Sequence, residues 1–359
     1  MRGKSARDAS HSSLVTRHPA RSTWHSALLS MRDDRSNEGT TYRGGAAAGS
    51  PEHGATPDLL RGRVCVVTGA NRGIGKATAT GLARLGATVV MLVRDRRLGA
   101  DACDHVRRAS ANPLVSVVTA DLASLASVRA AAAEIASRHS AVHVLVNNAG
   151  VNLARRALSA DGVEATLAVN HLAPFVLTGE LLPSLRRGAM AGGARVVTVT
   201  SEFERFGRIA FDNLQGERRY VGLLAYTQSK HANVLFTYEL ARRLAGTRVT
   251  ANCVYPGLVA TDLMRDRLWW SPRWLRALWG RVLLTPDEGA RASVHAASSP
   301  ELREVTGACF DRYGRRVRTS RRSYDVAAAE RLWRVSEELA AARVDESAHV
   351  GRHPGSGAR

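Results

Sequence analysis

A tyrosine, a lysine and a serine in the second half of the chain carry side chains that can transfer a proton and stabilise charge. Tyr226 and Lys230 are four residues apart, so on a helix they lie on one face, one turn apart. An unperturbed tyrosine has a pKa near ~10, and a neighbouring ammonium favours the ionised phenol. Ser201 adds a hydroxyl that can hold a substrate oxygen. Together the three residue types predict acid–base chemistry at a carbonyl or an alcohol.

Lysine is scarce in this chain, which has 51 basic residues, of which only Lys4, Lys76 and Lys230 are lysine. Arginine is used at almost every other basic position. A compact ammonium can donate to a ribose hydroxyl and depress a phenol pKa, and the planar guanidinium does both less well. We therefore interpret the lysine at position 230 as functional.

A glycine-rich turn follows the first apolar run and reads Thr68-Gly69-Ala70-Asn71-Arg72-Gly73-Ile74-Gly75. Backbone N–H groups at a helix N-terminus bind phosphate, and side chains at the glycines would obstruct the approach. The spacing differs from the commoner G-x-G-x-x-G, and an ordinary tight turn is the alternative interpretation. Its place between a predicted strand and a predicted helix favours a dinucleotide site.

The residue after the second predicted strand indicates which dinucleotide is bound. An acid there accepts the ribose 2′-hydroxyl of NAD, whereas the 2′-phosphate of NADP requires positive charge. Here Val93 is followed by Arg94, and Arg72 lies in the glycine turn. Guanidinium–phosphate pairs are strong, so the sequence predicts NADP(H). Asp95, one residue further on, is the alternative ligand if the strand ends later.

Short apolar runs alternate with helical patterns between residues 58 and 343. Such runs are typical of parallel strands covered on both faces. They predict one α/β domain, a Rossmann-type doubly wound parallel sheet of about seven strands with helices on both faces. A further helix is expected from Thr285-Pro286-Asp287-Glu288, which has a capping-box pattern. The predicted strands are Val64 to Val67, Thr88 to Val93, Leu114 to Thr119, Val142 to Val146, Arg195 to Thr200, Arg248 to Val254 and Gly307 to Phe310.

The two ends of the chain are polar and lack periodicity, so residues 1–57 are expected to be a disordered basic extension and residues 344–359 a disordered tail. The first thirty residues contain one acid, Asp8, and resemble a transit peptide. The alternative is that Met31 is the true start of the protein. No run approaches the ~18–20 apolar residues of a membrane span. We expect no transmembrane segment and a cytoplasmic location.

Charge and cysteine usage exclude other classes. The net charge is +19, but the arginines are scattered and no nucleic-acid-binding module is recognisable, so no nucleic-acid partner is expected. The four cysteines are Cys65, Cys103, Cys253 and Cys309. Their wide spacing predicts neither a metal site nor a disulfide framework. Homo-oligomer formation is left open.

The order of these motifs resembles that of the classical short-chain dehydrogenases/reductases, over about residues 60 to 340. Within that superfamily the sequence is most similar to the retinol dehydrogenase and WW-domain oxidoreductase branch. The similarity is carried by Ala225 to Thr237, Gly207-Arg208-Ile209 and Ala329 to Trp333. The resemblance implies an oxidoreductase that transfers hydride between a nicotinamide and a small lipophilic aldehyde or ketone, or the corresponding alcohol. The motifs are Thr68 to Gly75, Asn147-Asn148-Ala149-Gly150, Asn170, Ser201, Tyr226-x-x-x-Lys230 and Pro256-Gly257.

The resemblance also implies roles for individual residues. Tyr226 would be the general acid and base, Lys230 its ammonium neighbour, Ser201 the group that holds the substrate oxygen, and Asn170 the anchor of a water relay to Lys230. Asp121 would contact the adenine, although it could instead start the next helix. The implied cofactor residues are Gly69, Asn71, Arg72, Gly73, Ile74, Gly75, Arg94, Asp121, Leu122, Asn148, Gly150, Tyr226, Lys230, Pro256, Gly257, Val259 and Thr261.

Around the expected substrate mouth the chain departs from that branch. After Ser201 the chain continues with Glu202, Phe203 and Glu204, whereas relatives usually carry a histidine nearby. Before Pro256 the chain has Tyr255, whereas relatives often have a histidine. We expect these changes to line the mouth, with Glu202, Phe203 and Tyr255 contacting substrate.

A tryptophan-rich segment, about residues 263–284, follows the Pro-Gly motif. Its Trp269, Trp270 and Trp274 are predicted to form a lid over a lipophilic substrate. A packed surface helix and a peripheral membrane contact are the alternatives.

A protein of another class remains an alternative to the enzyme. The same fold can serve as a dinucleotide-binding regulator or scaffold without turnover, because fold alone does not establish activity. The intact set of Asn170, Ser201, Tyr226 and Lys230 favours the enzyme.

Overall fold

The computed structural model describes residues 58–259 and 283–341. The predicted N-terminal extension and C-terminal tail lie outside these ranges, as does all of the predicted lid segment except residues 283 and 284. The predictions made for those segments are therefore not tested by the structure.

The described strands form one eight-stranded sheet in the order β3-β2-β1-β4-β5-β6-β7-β8. The first seven strands pair in parallel, and the last pairs antiparallel with its neighbour. This confirms the predicted doubly wound α/β fold. The strands are β1 Val64–Thr68, β2 Thr88–Val93, β3 Val115–Thr119, β4 Val144–Asn147, β5 Ala194–Val199, β6 Val249–Val254, β7 Cys309–Phe310 and β8 Arg316–Val317.

Each of the seven predicted strands is present, and the eighth was not predicted. β8 is two residues long and has no apolar run, so the signal used for the other strands is missing. The hairpin that forms it is held by Asp311, whose Oδ1 accepts from the backbone N–H groups of Tyr313 and Arg315, both at 2.9 Å. A turn, and not strand periodicity, positions β8.

Within the two described ranges, seven long helical segments accompany the strands. The fourth, α4, contains a π-helical turn, Ala168–Leu172. The start of α6 is as predicted, because Thr285 Oγ1 accepts from Glu288 N at 3.3 Å and Glu288 Oε2 accepts from Thr285 N at 2.8 Å, the reciprocal pair of a capping box. The helical segments are α1 Gly73–Arg84, α2 Arg96–Ser110, α3 Leu125–Arg138, α4 Ala165–Met190, α5 Gly222–Arg243, α6 Pro286–Ser298 and α7 Val326–Ala341.

Hydrophobic cores lie on both faces of the sheet, because successive side chains of a strand point to opposite faces. In β1, Val66 belongs to a core shared with Phe175 of α4 and Trp333 of α7. Cys65 and Val67 belong to the core on the other side, with residues of α1, α2 and α6. All three β1 residues are fully buried, which explains the continuous apolar sequence of the strand.

The α4 segment has the length and composition of a membrane span, a feature that the sequence analysis did not single out. It has 26 residues and an 18-residue window of mean hydropathy 1.2. That window is 89% buried inside the protein, which is also the behaviour of a core helix. Phe175 at its centre is fully buried and packs edge-on against Trp333, with ring centroids 4.9 Å apart.

The strand order reverses between β1 and β4, which are neighbours at the centre of the sheet. In open α/β sheets the carboxyl ends of the strands at such a switch point form a crevice in which ligands bind. The predicted cofactor and catalytic residues of the described ranges lie in the segments that follow β1 to β6, so the topology brings them to this edge.

Candidate active site

The glycine turn after β1 closes tightly against the end of β4. Gly69 has φ +66°, a left-handed conformation that favours glycine. A Cβ at Gly75 would lie 2.3 Å from the Gly69 carbonyl oxygen and 2.5 Å from Asn148 Nδ2. Both positions therefore require glycine, one for its backbone conformation and the other for the close approach of three segments.

Thr68 joins this turn to the end of β4 by hydrogen bonds, a role that the sequence analysis did not assign. Its buried Oγ1 accepts from the backbone N–H groups of Asn148 and Ala149, at 2.9 and 3.0 Å. The Asn148 Nδ2 donates to the Thr68 carbonyl at 2.8 Å. The predicted cofactor residues Asn148 and Gly69 are thus parts of one hydrogen-bonded unit. The threonine that opens the glycine run was the available signal.

The N-terminus of α1 is open to an anion. Arg72 is the N-cap residue, its side chain makes no capping hydrogen bond, and the first turn of the helix contains no acidic residue. The helix macrodipole and its first N–H groups therefore favour a phosphate at this end. A Cβ would intrude at Gly69 and Gly75, and Gly73 has φ +53°, so the residues present fit a dinucleotide.

The boundary of β2 distinguishes Arg94 from Asp95. The strand ends at Val93, so Arg94 is the first residue after it and its side chain is exposed. Asp95 is the N-cap of α2, where its Oδ1 accepts from Leu98 N at 2.9 Å. The carboxylate is thus used to cap a helix, and the contact of Arg94 with the 2′ substituent of the ribose stays a prediction.

Asp121 and Leu122 follow β3, at the same edge of the sheet. Asp121 is exposed, and its Oδ1 accepts from Ala123 N at 2.9 Å. It does not cap the next helix, because α3 begins at Leu125 with Ser124 as its cap. The alternative that Asp121 starts the helix is therefore wrong, and its contact with adenine stays a prediction.

Asn170 lies in the π-helical turn of α4 and is fully buried. Its Nδ2 donates to the Val151 carbonyl and to Ser229 Oγ, both at 2.9 Å, and its Oδ1 accepts from Val151 N at 2.7 Å. The amide therefore joins the loop after β4 to helix α5. Single π turns inside α-helices occur frequently at functional sites, and here the turn carries a predicted catalytic residue.

Lys230 extends from α5 to the end of β5, and its side chain is buried. Its Nζ donates to the Val199 carbonyl at 3.1 Å. A Cβ at Gly150 would lie 3.4 Å from both this Nζ and Asn170 Oδ1, so the three predicted residues adjoin. Desolvation by burial lowers the pKa of Lys230 to about 8. The amine can therefore change its charge near neutral pH.

Tyr226 lies one turn before Lys230 on α5 and is 8% exposed. The Lys230 Nζ is 5.7 Å from the centroid of its ring. Phe203 packs edge-on against the same ring, with centroids 6.4 Å apart. The phenol thus sits between an amine and an apolar side chain, at the surface of a buried cluster.

Ser201 follows β5 and is buried next to the same helix. Its Oγ accepts from Phe203 N at 3.3 Å and caps the 3-10 turn Glu202–Phe206. The preceding residue, Thr200, donates from Oγ1 to the Lys230 carbonyl at 2.8 Å. The structure therefore brings together Asn170, Ser201, Tyr226 and Lys230, which come from three different elements.

Glu202 and Phe203 lie at the edge of this cluster, but Glu204 does not line a mouth. A cleft of about 410 Å³ is lined by Glu202, Gly257, Leu258 and the β7–β8 hairpin. Glu204 is fully buried, and the Tyr255 hydroxyl donates to its Oε1 at 2.7 Å. The expectation that Glu204 lines the mouth is wrong, because the carboxylate is enclosed by protein hydrogen bonds. A substrate contact of Tyr255 stays a prediction.

Val259 and Ile74, two predicted cofactor residues, meet at α6. A Cβ at Gly289 would lie 2.5 Å from Val259 Cγ2 and 3.3 Å from Ile74 Cγ1. Gly289, which the sequence analysis did not single out, permits this approach. Leu284 N donates to the Leu258 carbonyl at 2.8 Å, so these two residues lie side by side. Thr261, Trp269, Trp270 and Trp274 lie outside the described residues.

Comparison with known proteins agrees with this geometry. The family model for short chain dehydrogenases matches residues 63–271. Retinol dehydrogenase 12 of Mus musculus is 41% identical over 280 residues, which cover 78% of this chain and 87% of that protein. An uncharacterised protein of Mycobacterium paratuberculosis has a crystal structure with TM-score 0.64 and 38% identity, covering 79% of this chain and 95% of its own.

Two further solved structures that resemble this chain are complexes with a nicotinamide dinucleotide. One is RhlG of Pseudomonas aeruginosa with NADP, 28% identical with a TM-score of 0.59, covering 71% of this chain and 97% of its own. The other is a 3-ketoacyl-(acyl-carrier-protein) reductase of Brucella melitensis with NADH, 26% identical with a TM-score of 0.55, covering 70% and 97%. On these matches the chain belongs to the short-chain dehydrogenase family of nicotinamide-dependent oxidoreductases, in its retinol dehydrogenase branch.

Proposed function

We propose that this protein is an NADP(H)-dependent oxidoreductase that transfers hydride between the nicotinamide and an apolar aldehyde or ketone, or the corresponding alcohol. The observation that carries the proposal is the buried cluster of Asn170, Ser201, Tyr226 and Lys230 at the carboxyl edge of the sheet. The glycine turn that fits a dinucleotide follows β1, which pairs with β4 at the same edge.

The chain's own residues manage the proton in this reaction, while the bound nicotinamide supplies or accepts the hydride. As a carbonyl oxygen gains negative charge, the Tyr226 hydroxyl donates its proton to it and Ser201 donates a hydrogen bond. The Lys230 ammonium, 5.7 Å from the phenol ring, favours the phenolate, so Tyr226 can also accept a proton from an alcohol. Asn170 holds α5 against the loop after β4.

An apolar substrate is supported by the side chains beside the phenol. Phe203 packs on the Tyr226 ring, and Phe206, whose ring centroid is 6.4 Å from that of Phe203, is 74% exposed. Exposed aromatic surface that leads to a reactive group favours an apolar ligand. Retinol dehydrogenase 12 of Mus musculus, to which this chain is similar, is named for its action on retinol, an apolar alcohol.

The proposal is tested by following NADPH oxidation with a panel of carbonyl compounds that contains retinal and a homologous series of straight-chain aldehydes. We expect turnover with the apolar members of the panel. Tight NADPH binding without turnover of any member would favour the regulatory or scaffold protein instead.

Cofactor choice gives a second prediction. We expect NADPH to bind at least about tenfold more tightly than NADH, or about 1.4 kcal/mol, because the exposed Arg94 follows β2 directly while Asp95 is engaged as a helix cap. Arg94→Asp should reduce or reverse the preference. Dissociation constants measured by titration calorimetry check both expectations.

The matched control is Arg334→Asp, which makes the same charge change at an exposed arginine of α7. It alters the net charge equally but lies on a helix that packs on the other face of the sheet from α1 and α2. It should leave the preference unchanged. Equal dissociation constants for NADPH and NADH in the wild type would contradict the NADP assignment.

The lowered pKa of Lys230 predicts the pH dependence of carbonyl reduction. Reduction requires a proton on the Tyr226–Lys230 pair, and the buried amine loses its proton near a pKa of about 8. We therefore expect kcat/KM for reduction to be level below about pH 8 and to fall above it, with the apparent pKa belonging to the pair. A profile measured from about pH 6 to 10 that rises through this range would contradict the assignment.

A further inference from the structure

Glu204 is a buried carboxylate behind the catalytic cluster, and none of its side chain is exposed. A buried charge is costly unless its hydrogen-bonding capacity is filled. Here Oε1 accepts from the Tyr255 hydroxyl at 2.7 Å and from Ser320 N at 2.8 Å. Oε2 accepts from Ser320 Oγ at 2.8 Å and from His231 Nδ1 at 3.1 Å. Each carboxylate oxygen thus has two donors.

The protonation states in this group follow from its contacts. Burial alone would raise the pKa of the Glu204 carboxyl, but the hydrogen bonds from His231, Tyr255 and Ser320 together hold the pKa below its usual value. The carboxyl is therefore ionised at neutral pH and can only accept hydrogen bonds. It follows that Nδ1 of His231 carries a proton.

Glu204 and two of its four donors, His231 Nδ1 and the Tyr255 hydroxyl, lie in segments that carry predicted site residues. Glu204 lies in the 3-10 turn that Ser201 caps, and its N–H donates to the Ser201 carbonyl at 2.9 Å. His231 follows Lys230 directly on α5. Tyr255 directly precedes the Pro256-Gly257 motif. A single carboxylate therefore connects the Ser201 turn, the Lys230 helix and the loop with predicted cofactor residues.

We propose that Glu204 is a positioning residue for the reaction: it fixes Ser201, the Lys230 helix and the Pro256-Gly257 loop relative to one another without contacting substrate. The proposal rests on the function proposed above. Its physical basis is that acid–base and hydride-transfer geometry tolerates little displacement, since a shift of about 1 Å can cost about 10²-fold in rate. Ser320 supplies two of the four donors from a segment that carries no predicted site residue, and so anchors the carboxylate.

The competing explanation is that this group only stabilises the fold. The chain offers a matched pair of variants that separates the two. Tyr255 and Tyr238 are both buried, and each hydroxyl makes a hydrogen bond inside the protein. That of Tyr255 reaches Glu204, whereas that of Tyr238 pairs with Thr319 Oγ1 at 2.9 Å. Tyr255→Phe and Tyr238→Phe therefore remove the same atom from similar surroundings, but only the first cuts a link to Glu204.

The experiment compares Glu204→Gln, Tyr255→Phe and Tyr238→Phe with the wild type in three measurements on the full chain. These are the melting temperature, the dissociation constant of NADP⁺ by calorimetry, and kcat and KM for NADPH-dependent reduction of retinal or decanal. For Glu204→Gln and Tyr255→Phe we expect kcat to fall about tenfold or more with carbonyl KM nearly unchanged, and NADP⁺ affinity to fall about fivefold. Tyr238→Phe should lower the melting temperature to a similar extent and leave kcat and affinity within about twofold.

Two results would overturn the proposal. In one, kcat and NADP⁺ affinity of Tyr255→Phe stay within about twofold of the wild type. In the other, Tyr238→Phe loses as much of both as Tyr255→Phe, so that activity follows stability alone. Tyr255→Phe decides the question if Glu204→Gln does not fold. Absence of carbonyl turnover in the wild type would count against the proposed function, while the NADP⁺ affinities of the variant pair would still test the positioning role.

Discussion

Replacing Tyr226 by phenylalanine is expected to lower kcat for carbonyl reduction by ~10²–10⁴-fold, the range typical of a general acid. The phenylalanine ring can keep the contact with Phe203, but the transferable proton is lost. NADPH affinity should stay within about twofold, because the change removes an interaction with the transition state and leaves the glycine turn intact. Single-turnover and steady-state rates with a carbonyl substrate, together with calorimetric NADPH binding, check this expectation.

Tyr238→Phe is again the matched control, since it removes a buried phenol hydroxyl from the same helix at a position away from the catalytic cluster. Its kcat should remain close to that of the wild type. A Tyr226→Phe protein that keeps more than about a tenth of wild-type kcat would show that another group protonates the substrate.

Gly75→Ala is expected to reduce dinucleotide affinity by about 100-fold or more, equivalent to about 2.8 kcal/mol. The added Cβ would lie 2.3 Å from the Gly69 carbonyl oxygen and 2.5 Å from Asn148 Nδ2, so the turn and the end of β4 must separate to admit it. The Gly69 carbonyl and Asn148 both belong to the hydrogen-bonded turn that forms the phosphate cradle. The carbonyl oxygen is a backbone atom, so it cannot move unless the turn moves with it. Titration of NADPH and NADP⁺ into the folded variant measures the loss.

The control for this prediction is Gly81→Ala, six residues further along α1. A Cβ there would lie 2.6 Å from Val294 Cγ2 of α6, so the substitution overpacks the helix interface and should destabilise the fold by about 1–3 kcal/mol. It should leave dinucleotide affinity nearly unchanged. If Gly75→Ala binds NADPH as tightly as Gly81→Ala does, the glycine turn is not the phosphate site.

The sheet could be predicted because its strands are buried on both faces and therefore read as uninterrupted apolar runs. The same reasoning failed for β8, where the hydrogen bonds of Asp311 form the hairpin and two residues leave no pattern. Helix α6 was predictable because its capping box is a local signal in the sequence. Elements that have a signal in their own sequence, an apolar run or a helix cap, were therefore predictable.

The site was predictable to the extent that its residues occur in ordered motifs. The sequence left open whether Arg94 or Asp95 faces the ribose. Because β2 ends at Val93, Arg94 is the first residue after the strand, and its contact with the ribose stays a prediction. Glu204 and Tyr255 were both noticed as departures, but their partnership was not predictable. The hydrogen bond between them joins residues 51 positions apart, and only the packing of the 3-10 turn against β6 and α5 brings them together.

We propose that the buried cluster at the carboxyl edge of the sheet supplies the proton when the bound nicotinamide transfers hydride to a carbonyl. The most direct test is incubation of the wild-type protein with a carbonyl substrate such as retinal and NADPH deuterated at the transferring position of the nicotinamide, followed by mass analysis of the product. We expect one deuterium on the carbinol carbon of the alcohol, in amounts equal to the NADP⁺ formed, and none with Tyr226→Phe on the same timescale. NADPH binding with no labelled alcohol from any carbonyl of the panel would contradict it.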